Sequence, residues 1–407
     1  MLIFLLESPA LKIEKTQIQQ ILRSRLKPTK QDSDQQTISV DVLSIVANAA
    51  VTISKDSDIF FENEILAVVH RVKSKSSGLA TTSVWCWMGR ETQLGDKEEK
   101  KLSELAKRYG TTPKFIHQLS EPSELVQILG GRLAIRQGSR NHWTSENTTM
   151  HLVRSLNDVI LVDEHDLSIR NLCSAFSYCF TILGSIYIWH GCGSTPKERQ
   201  AALSYAQTLS PDPVSPTELV EGENDDDELF WMMLGDEDFA RADYWRWRRA
   251  SAEVDPSIWR IDCRNPSKLS SPVEFLSTER NLQASVYIIN CVWEFFVLVG
   301  KEARGERQAI LTALQIAKRM SEEVASGRPF KPTVHVLIVP SQLPVDLRLG
   351  IRDMDEAWLN NGEIPHHLNL ISCVNAEEHL KKFVWERSSL ADLTLLPLGI
   401  SADHISR

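Results

Sequence analysis

Apolar runs that end in glycine recur three times along the chain. Val84-Trp-Cys-Trp-Met-Gly89, Ile186-Tyr-Ile-Trp-His-Gly191 and Phe296-Val-Leu-Val-Gly300 are β-rich and almost wholly apolar before the glycine. Such a run suits a strand buried on both faces. The glycine is read as freedom for a positive φ that ends the strand in a tight loop. After each glycine come a polar loop and a stretch of helical period. Ile310, Ala313, Leu314, Ala317 and Met320 share one helix face in the third copy, as do Leu102, Leu105, Ala106 and Tyr109 in the first. Each helix is therefore predicted to cover a sheet with one face. Near the helix starts stand Glu99, Glu198 and Glu306, which also suit the positive end of a helix dipole.

A second shared passage follows each helix. Residues 115–119 predict a strand, and 120–131 a short helix with Ser120 as N-cap and Gly131 at its end. The second copy offers Thr217 to Gly222, an acidic stretch, then Glu228 to Gly235. The third offers Val334 to Val339 and a variant segment through Trp358. Strands also precede the anchors at Ile65 to Val69, Phe180 to Leu183 and Val286 to Ile289. Gly89 to Gly191 is 102 residues and Gly191 to Gly300 is 109, a period of domain length rather than of a solenoid. The order strand, strand, long helix, strand, short helix predicts an α+β fold of three tandem units. Each would be a mixed central sheet between one long and one short helix.

Composition narrows the function classes. The 407 residues carry 45 basic and 54 acidic side chains, a formal charge of −9, which disfavours a general nucleic-acid binder. No apolar run approaches the roughly 20 residues of a spanning helix, and Met1 to Leu6 is too short for a signal segment. Seven cysteines, without CxxC or zinc-finger spacing, suit a reducing, cytoplasmic setting. There is no HExxH, GxSxG or kinase set, so the chain is read as a non-enzyme. The acidic run 221–228 fits no EF-hand spacing and reads as a solvated helix start.

The order and the residues resemble the gelsolin/villin family of actin-regulating repeats. Ile186 to Gly191 followed by Glu198-Arg-Gln-Ala-Ala is similar to that family's central signature. Leu219 to Gly222, Phe230-Trp231 and Leu234-Gly235 are similar to its strand and short helix. Trp259 to Asp262 resembles the opening strand of a following repeat, and Gly130 to Gly138 the exit of a first or fourth one. The resemblance implies gelsolin-like repeats at 38–140, 141–255 and 256–407, the last with a C-terminal extension, after a partly flexible lead-in at 1–37. It also implies actin binding with capping, severing or side-binding, at the cytoplasmic actin cytoskeleton.

The resemblance further implies calcium, with a Gly-Asp pair at the start of the edge strand, aligned with Asn63-Glu64 in the first repeat, and a bidentate Glu in the long helix. The matching carboxylates here are Glu64 and Glu99 (or Glu98, given a longer loop) in the first repeat, Glu198 in the second and Glu306 in the third. The partner acid falls near Ser177 and at Ser285, so weak or no calcium dependence is expected. For actin, the outer face of the first long helix offers Lys97, Lys100, Lys101, Lys107 and Arg108. These could meet acidic actin electrostatically but would not fill an apolar cleft. Between repeats two and three, Arg246, Arg248 and Arg249 stand among tryptophans. They are a phosphoinositide candidate, set against a strap whose tryptophans pack and whose arginines stay wet. The alternative to an actin regulator is a scaffold that kept the fold and lost actin activity.

Overall fold

The computed structural model describes residues 14–24, 34–210, 215–235, 238–250, 255–265 and 268–382. The chain divides into two compact units, one of residues 27–249 and one of residues 1–26 with 250–407.

The larger run holds two sheets. The first contains β1 (Gln35–Val46), β2 (Ala49–Thr52), β4 (Ile65–Ser74), β5 (Ala80–Met88) and β6 (Pro113–His117), in the order β2-β1-β4-β5-β6. The helix α2 (Asp96–Arg108) bridges β5 and β6, which run parallel. Side chains alternate along β4. Ile65, Ala67 and Val69 pack with Leu102 and Ala106 of α2, and Leu66 and Val68 pack on the other face with Leu125 and Val126 of α3 (Ser123–Ile128). The sheet is thus sandwiched by a long and a short helix. Ser120 does not cap α3: Pro122 is its N-cap, and the Ser120 hydroxyl donates to the carbonyl of His117 at 2.8 Å.

The second sheet repeats the plan with β8 (Thr149–Leu156), β9 (Val159–His165), β10 (Ser177–Ile182), β11 (Ser185–His190) and β12 (Thr217–Val220). Helices α4 (Pro196–Ala206) and α5 (Glu228–Leu234) accompany it. Its order is β12-β11-β10-β8-β9, extended by two strands of the preceding segment, β7 (Arg132–Arg136) and β3 (Ile59–Phe61). The β9-β7 and β7-β3 pairings are both parallel.

The other unit carries β13 (Ser257–Ile261), β14 (Ser270–Val273), β15 (Val286–Cys291), β16 (Glu294–Val299), β17 (Thr333–Ile338) and β18 (Leu370–Ser372). Their order is β14-β13-β15-β16-β17-β18. The long helix is α6 (Arg307–Val324); α7 (Val345–Gly350) and α8 (Glu356–Leu359) stand in the short-helix position. All three sheets therefore share one five-stranded kernel of identical order. Its register matches too: Met88, His190 and Val299, each just before an anchor glycine, lie opposite the first residues of β4, β10 and β15.

The anchors do not act as expected. Gly89, Gly191 and Gly300 avoid the left-handed region; what they provide is space. A Cβ at each would lie 2.1 Å from the carbonyl oxygen of Glu62, 2.3 Å from that of Ser174 and 2.3 Å from that of Gln283. The glycine lets the strand end press on the backbone that enters the neighbouring strand, and its N–H donates there to Glu64, Phe176 or Ser285.

The segment before the first sheet is not all lead-in. Helix α1 (Lys15–Arg23) adds Ile18 and Ile21 to the core around α6, and Lys15 and Gln19 both reach Glu323. The helix α9 (Cys373–Lys382) joins the same core through Ala376 and Leu380. A nine-residue helix is not stable alone in water, so α1 depends on this contact. Ile18→Asp is expected to release it. Hydrogen exchange would show α1 amides exchanging as unstructured chain while β15 and β16 stay protected.

Candidate functional site

Two of the four carboxylates singled out from the sequence, Glu64 and Glu198, are occupied by arginines. Glu198 lies in the first turn of α4, where Thr195 and Glu198 form a reciprocal capping box. Its Oε1 accepts from the Ser155 N–H and its Oε2 from the Thr195 N–H, both at 2.8 Å. Arg248, in the short helical turns Asp243–Ala250, adds two parallel bonds of 2.8 and 3.0 Å. Both side chains are almost wholly buried, at 3% and 0% exposure. A third bond of 2.8 Å runs from Arg248 to the carbonyl of Ala175, and the guanidinium lies 5.0 Å from the Phe176 ring centroid. Both sequence readings, a phosphoinositide-binding arginine and a strap arginine that stays wet, leave Arg248 at the surface. The structure corrects that, because a guanidinium buried in a bidentate carboxylate pair is not presented to any ligand.

Glu64 repeats the arrangement in the first repeat. It sits in the turn between β3 and β4 and accepts from Arg140 at 2.7 and 3.0 Å. Arg140 also donates to the carbonyl of Ile59 at 2.6 Å and lies 4.9 Å from the Phe61 ring centroid. Glu99 is exposed on α2 and does not join it. Its neighbour Glu98 turns inward and accepts from the Ala47 N–H at 2.9 Å, holding the β1–β2 turn. Glu306 is the half-exposed N-cap of α6, 3.4 Å from exposed Arg264.

Calcium takes six to eight oxygen ligands, several of them carboxylates. At Glu64 and Glu198 the oxygens already accept from guanidinium and backbone donors, and Glu306 has a single carboxylate facing an arginine. No group of three or more His, Cys, Asp or Glu able to hold a metal occurs among the described residues. These residues do not fit a resident calcium ion.

The basic residues of α2 are placed as expected for a solvated face. Lys97, Lys100, Lys107 and Arg108 are exposed and Lys101 is partly so, opposite buried Leu102 and Ala106. In the strap 241–250, Arg246 is exposed, Trp247 is 50% exposed and Trp245 is buried. The side chain of Arg249 lies outside the described residues. The acidic run is not wholly solvated. Glu221 holds the Ser174 hydroxyl and the Cys192 N–H, and Asp227 caps α5 by accepting from Phe230. Sequence reasoning missed Arg136 and Arg140, because nothing local marks an arginine whose partners lie about 70 residues away.

Three tandem copies of one kernel meet a matching sequence relationship. The chain is 24% identical to gelsolin of Xenopus laevis over 255 residues. Over that stretch it is a distant homologue of gelsolin. The match spans 59% of this chain and 59% of the relative's own length. Residues 42–137 also match a family described as a domain of unknown function, DUF7904, which covers most of the first gelsolin-like repeat. Among solved structures, one match is a chain from the Thorarchaeota 2DGel3/rabbit actin complex. It shows 16% identity, 48% coverage of this chain, full coverage of that chain and a TM-score of 0.20, too low to carry an argument. The gelsolin-like repeats here are α+β, and no helix among the described residues is long and apolar enough to cross a membrane.

Proposed function

We propose that this chain is a non-enzymatic actin-binding protein that acts on filaments, by capping, severing or side-binding, without calcium control. The observation that carries this is the homology to gelsolin, together with the same five-stranded kernel in three consecutive repeats. The repeats are taken as 38–140, 141–255 and 256–407. The contact surface is the outer face of α2, where Lys97, Lys100, Lys101, Lys107 and Arg108 form the basic patch of an otherwise acidic protein. Such a face acts through charge, so binding should weaken as salt rises. A phosphoinositide site on the strap is not part of the proposal. Among the described side chains only Arg241 and Arg246 are exposed there, too few for a polybasic lipid site.

Co-sedimentation with filamentous actin tests the reading. The chain is expected to pellet equally in calcium and in EGTA, less at high salt, and less when Lys100 and Lys107 are both changed to Glu. Absence from the pellet in both conditions would favour the second reading, a gelsolin-fold scaffold. That reading draws its support from the lack of large apolar side chains on the exposed face of α2.

A further inference from the structure

We propose that Arg140 and Arg248 are built-in cations: each guanidinium neutralises a buried or largely buried carboxylate of its repeat and pins the tail of that repeat, so that the described parts of the first two repeats hold one conformation whether or not calcium is present. The inference does not depend on actin binding.

The two arginines arrive from unrelated stretches of sequence yet are received in the same three-part manner. Each makes a bidentate pair with a glutamate, Glu64 or Glu198. Each donates once more to a backbone carbonyl, of Ile59 or Ala175. Each lies about 5 Å from a phenylalanine ring, Phe61 at 4.9 Å and Phe176 at 5.0 Å. The planar fork of arginine suits a carboxylate and a flanking carbonyl in one plane. A divalent ion would need several more oxygens around it. At Glu198, two backbone N–H donors and two guanidinium donors already use both carboxylate oxygens.

The position of Arg248 gives the pair a mechanical consequence. It lies three residues after Trp245, which is buried and presses so closely on the Gly193 loop that a Cβ on Gly193 would lie 2.6 Å from the Trp245 carbonyl oxygen. The strap is thus fastened at two points across the start of α4, one apolar and one ionic. The ionic fastening ties together α4, β8 through Ser155 and the entry to β10 through Ala175. Removing the arginine alone would leave a carboxylate buried without its counter-charge, which is far costlier than removing both partners.

Hydrogen exchange by mass spectrometry on the full chain tests this, using wild type, Arg248→Met, Glu198→Gln and the double variant, each in calcium chloride or EGTA. Wild type should exchange identically in the two buffers. Arg248→Met should lower protection of the 243–248 peptide on the order of a hundredfold, with β8 and β10 still protected. The double variant should recover part of that loss, since it buries no lone charge. Equal loss in the single and double variants would overturn the proposal. So would wild-type protection that rises with calcium and loses that response in Glu198→Gln. If Arg248→Met does not fold, the wild-type comparison between buffers and the double variant decide it alone.

Discussion

Gly191→Ala is expected to cost the second repeat about 3 kcal/mol or more, a fall of roughly 6–12 °C in the melting temperature of a unit this size. The added Cβ would sit 2.3 Å from the Ser174 carbonyl oxygen and 2.6 Å from its carbon. Neither atom belongs to a side chain that could rotate away. The chain before β10 would have to retreat, breaking the bonds from Gly191 N–H to Phe176 and from Gly193 N–H to Ser174. Gly89→Ala and Gly300→Ala should do the same in their repeats, against Glu62 and Gln283. Gly305 supplies the control. It lies five residues after Gly300, outside the left-handed region, and a Cβ there would meet nothing within 4 Å. Gly305→Ala should change stability by no more than about 0.5 kcal/mol. Calorimetry of the pair separates close approach from chain flexibility: if the three anchor variants melt like Gly305→Ala, the close packing described above is wrong.

That contrast also shows what was legible in the chain and what was not. The glycines stood out because each ends a run of apolar β-formers, and α2 and α6 because apolar residues return to one face. Both signals lie within about 20 residues of chain. The reason for the glycines was not legible, because it depends on a carbonyl 15 to 30 residues earlier that only folding brings near. The opening strands β1, β2 and β14 leave a weaker mark for a different reason. β2 is exposed throughout, β1 is largely exposed or half-buried and β14 has only four residues, so the apolar pattern thins out. The pairing of β7 with β9 leaves no local mark at all, since a parallel ladder joins distant segments. Charge misled most at Arg248. An arginine among Arg246, Trp247 and Arg249 reads as a wet surface, and only the buried Glu198, 50 residues away, makes it an interior cation.

The second large effect concerns Arg136, which ends β7 in the first repeat and serves the interior of the second. It is 5% exposed. Its Nε donates to the Tyr205 hydroxyl at 3.0 Å and its Nη2 to the carbonyl and hydroxyl of Thr208, at the end of α4. The guanidinium lies 3.7 Å from the Trp143 ring centroid. Arg136→Met removes these donors together and is expected to cost about 2–4 kcal/mol. The same network is pH-sensitive in two opposing ways. His151, fully buried between the Tyr205 and Thr149 hydroxyls, is held well below its ordinary 6.5, first by burial and then by Arg136 and His165. The unfolded chain therefore takes up a proton that the folded chain refuses, and stability falls as pH drops below 6.5. Glu164, which accepts from the Gln137 N–H, is pushed up to about 7 by burial against an ordinary 4.5. Between those values the folded chain takes up the proton, and stability rises as pH drops. Each slope approaches about 1.4 kcal/mol per pH unit. Between pH 4.5 and 6.5 the two contributions run in opposite directions. Relative to the wild type, His151→Gln should therefore gain stability on acidification across that window, and Glu164→Gln should lose it. Urea titrations at several pH values would show the two variants diverging in opposite directions. Parallel profiles would mean that His151 and Glu164 do not titrate as their burial requires.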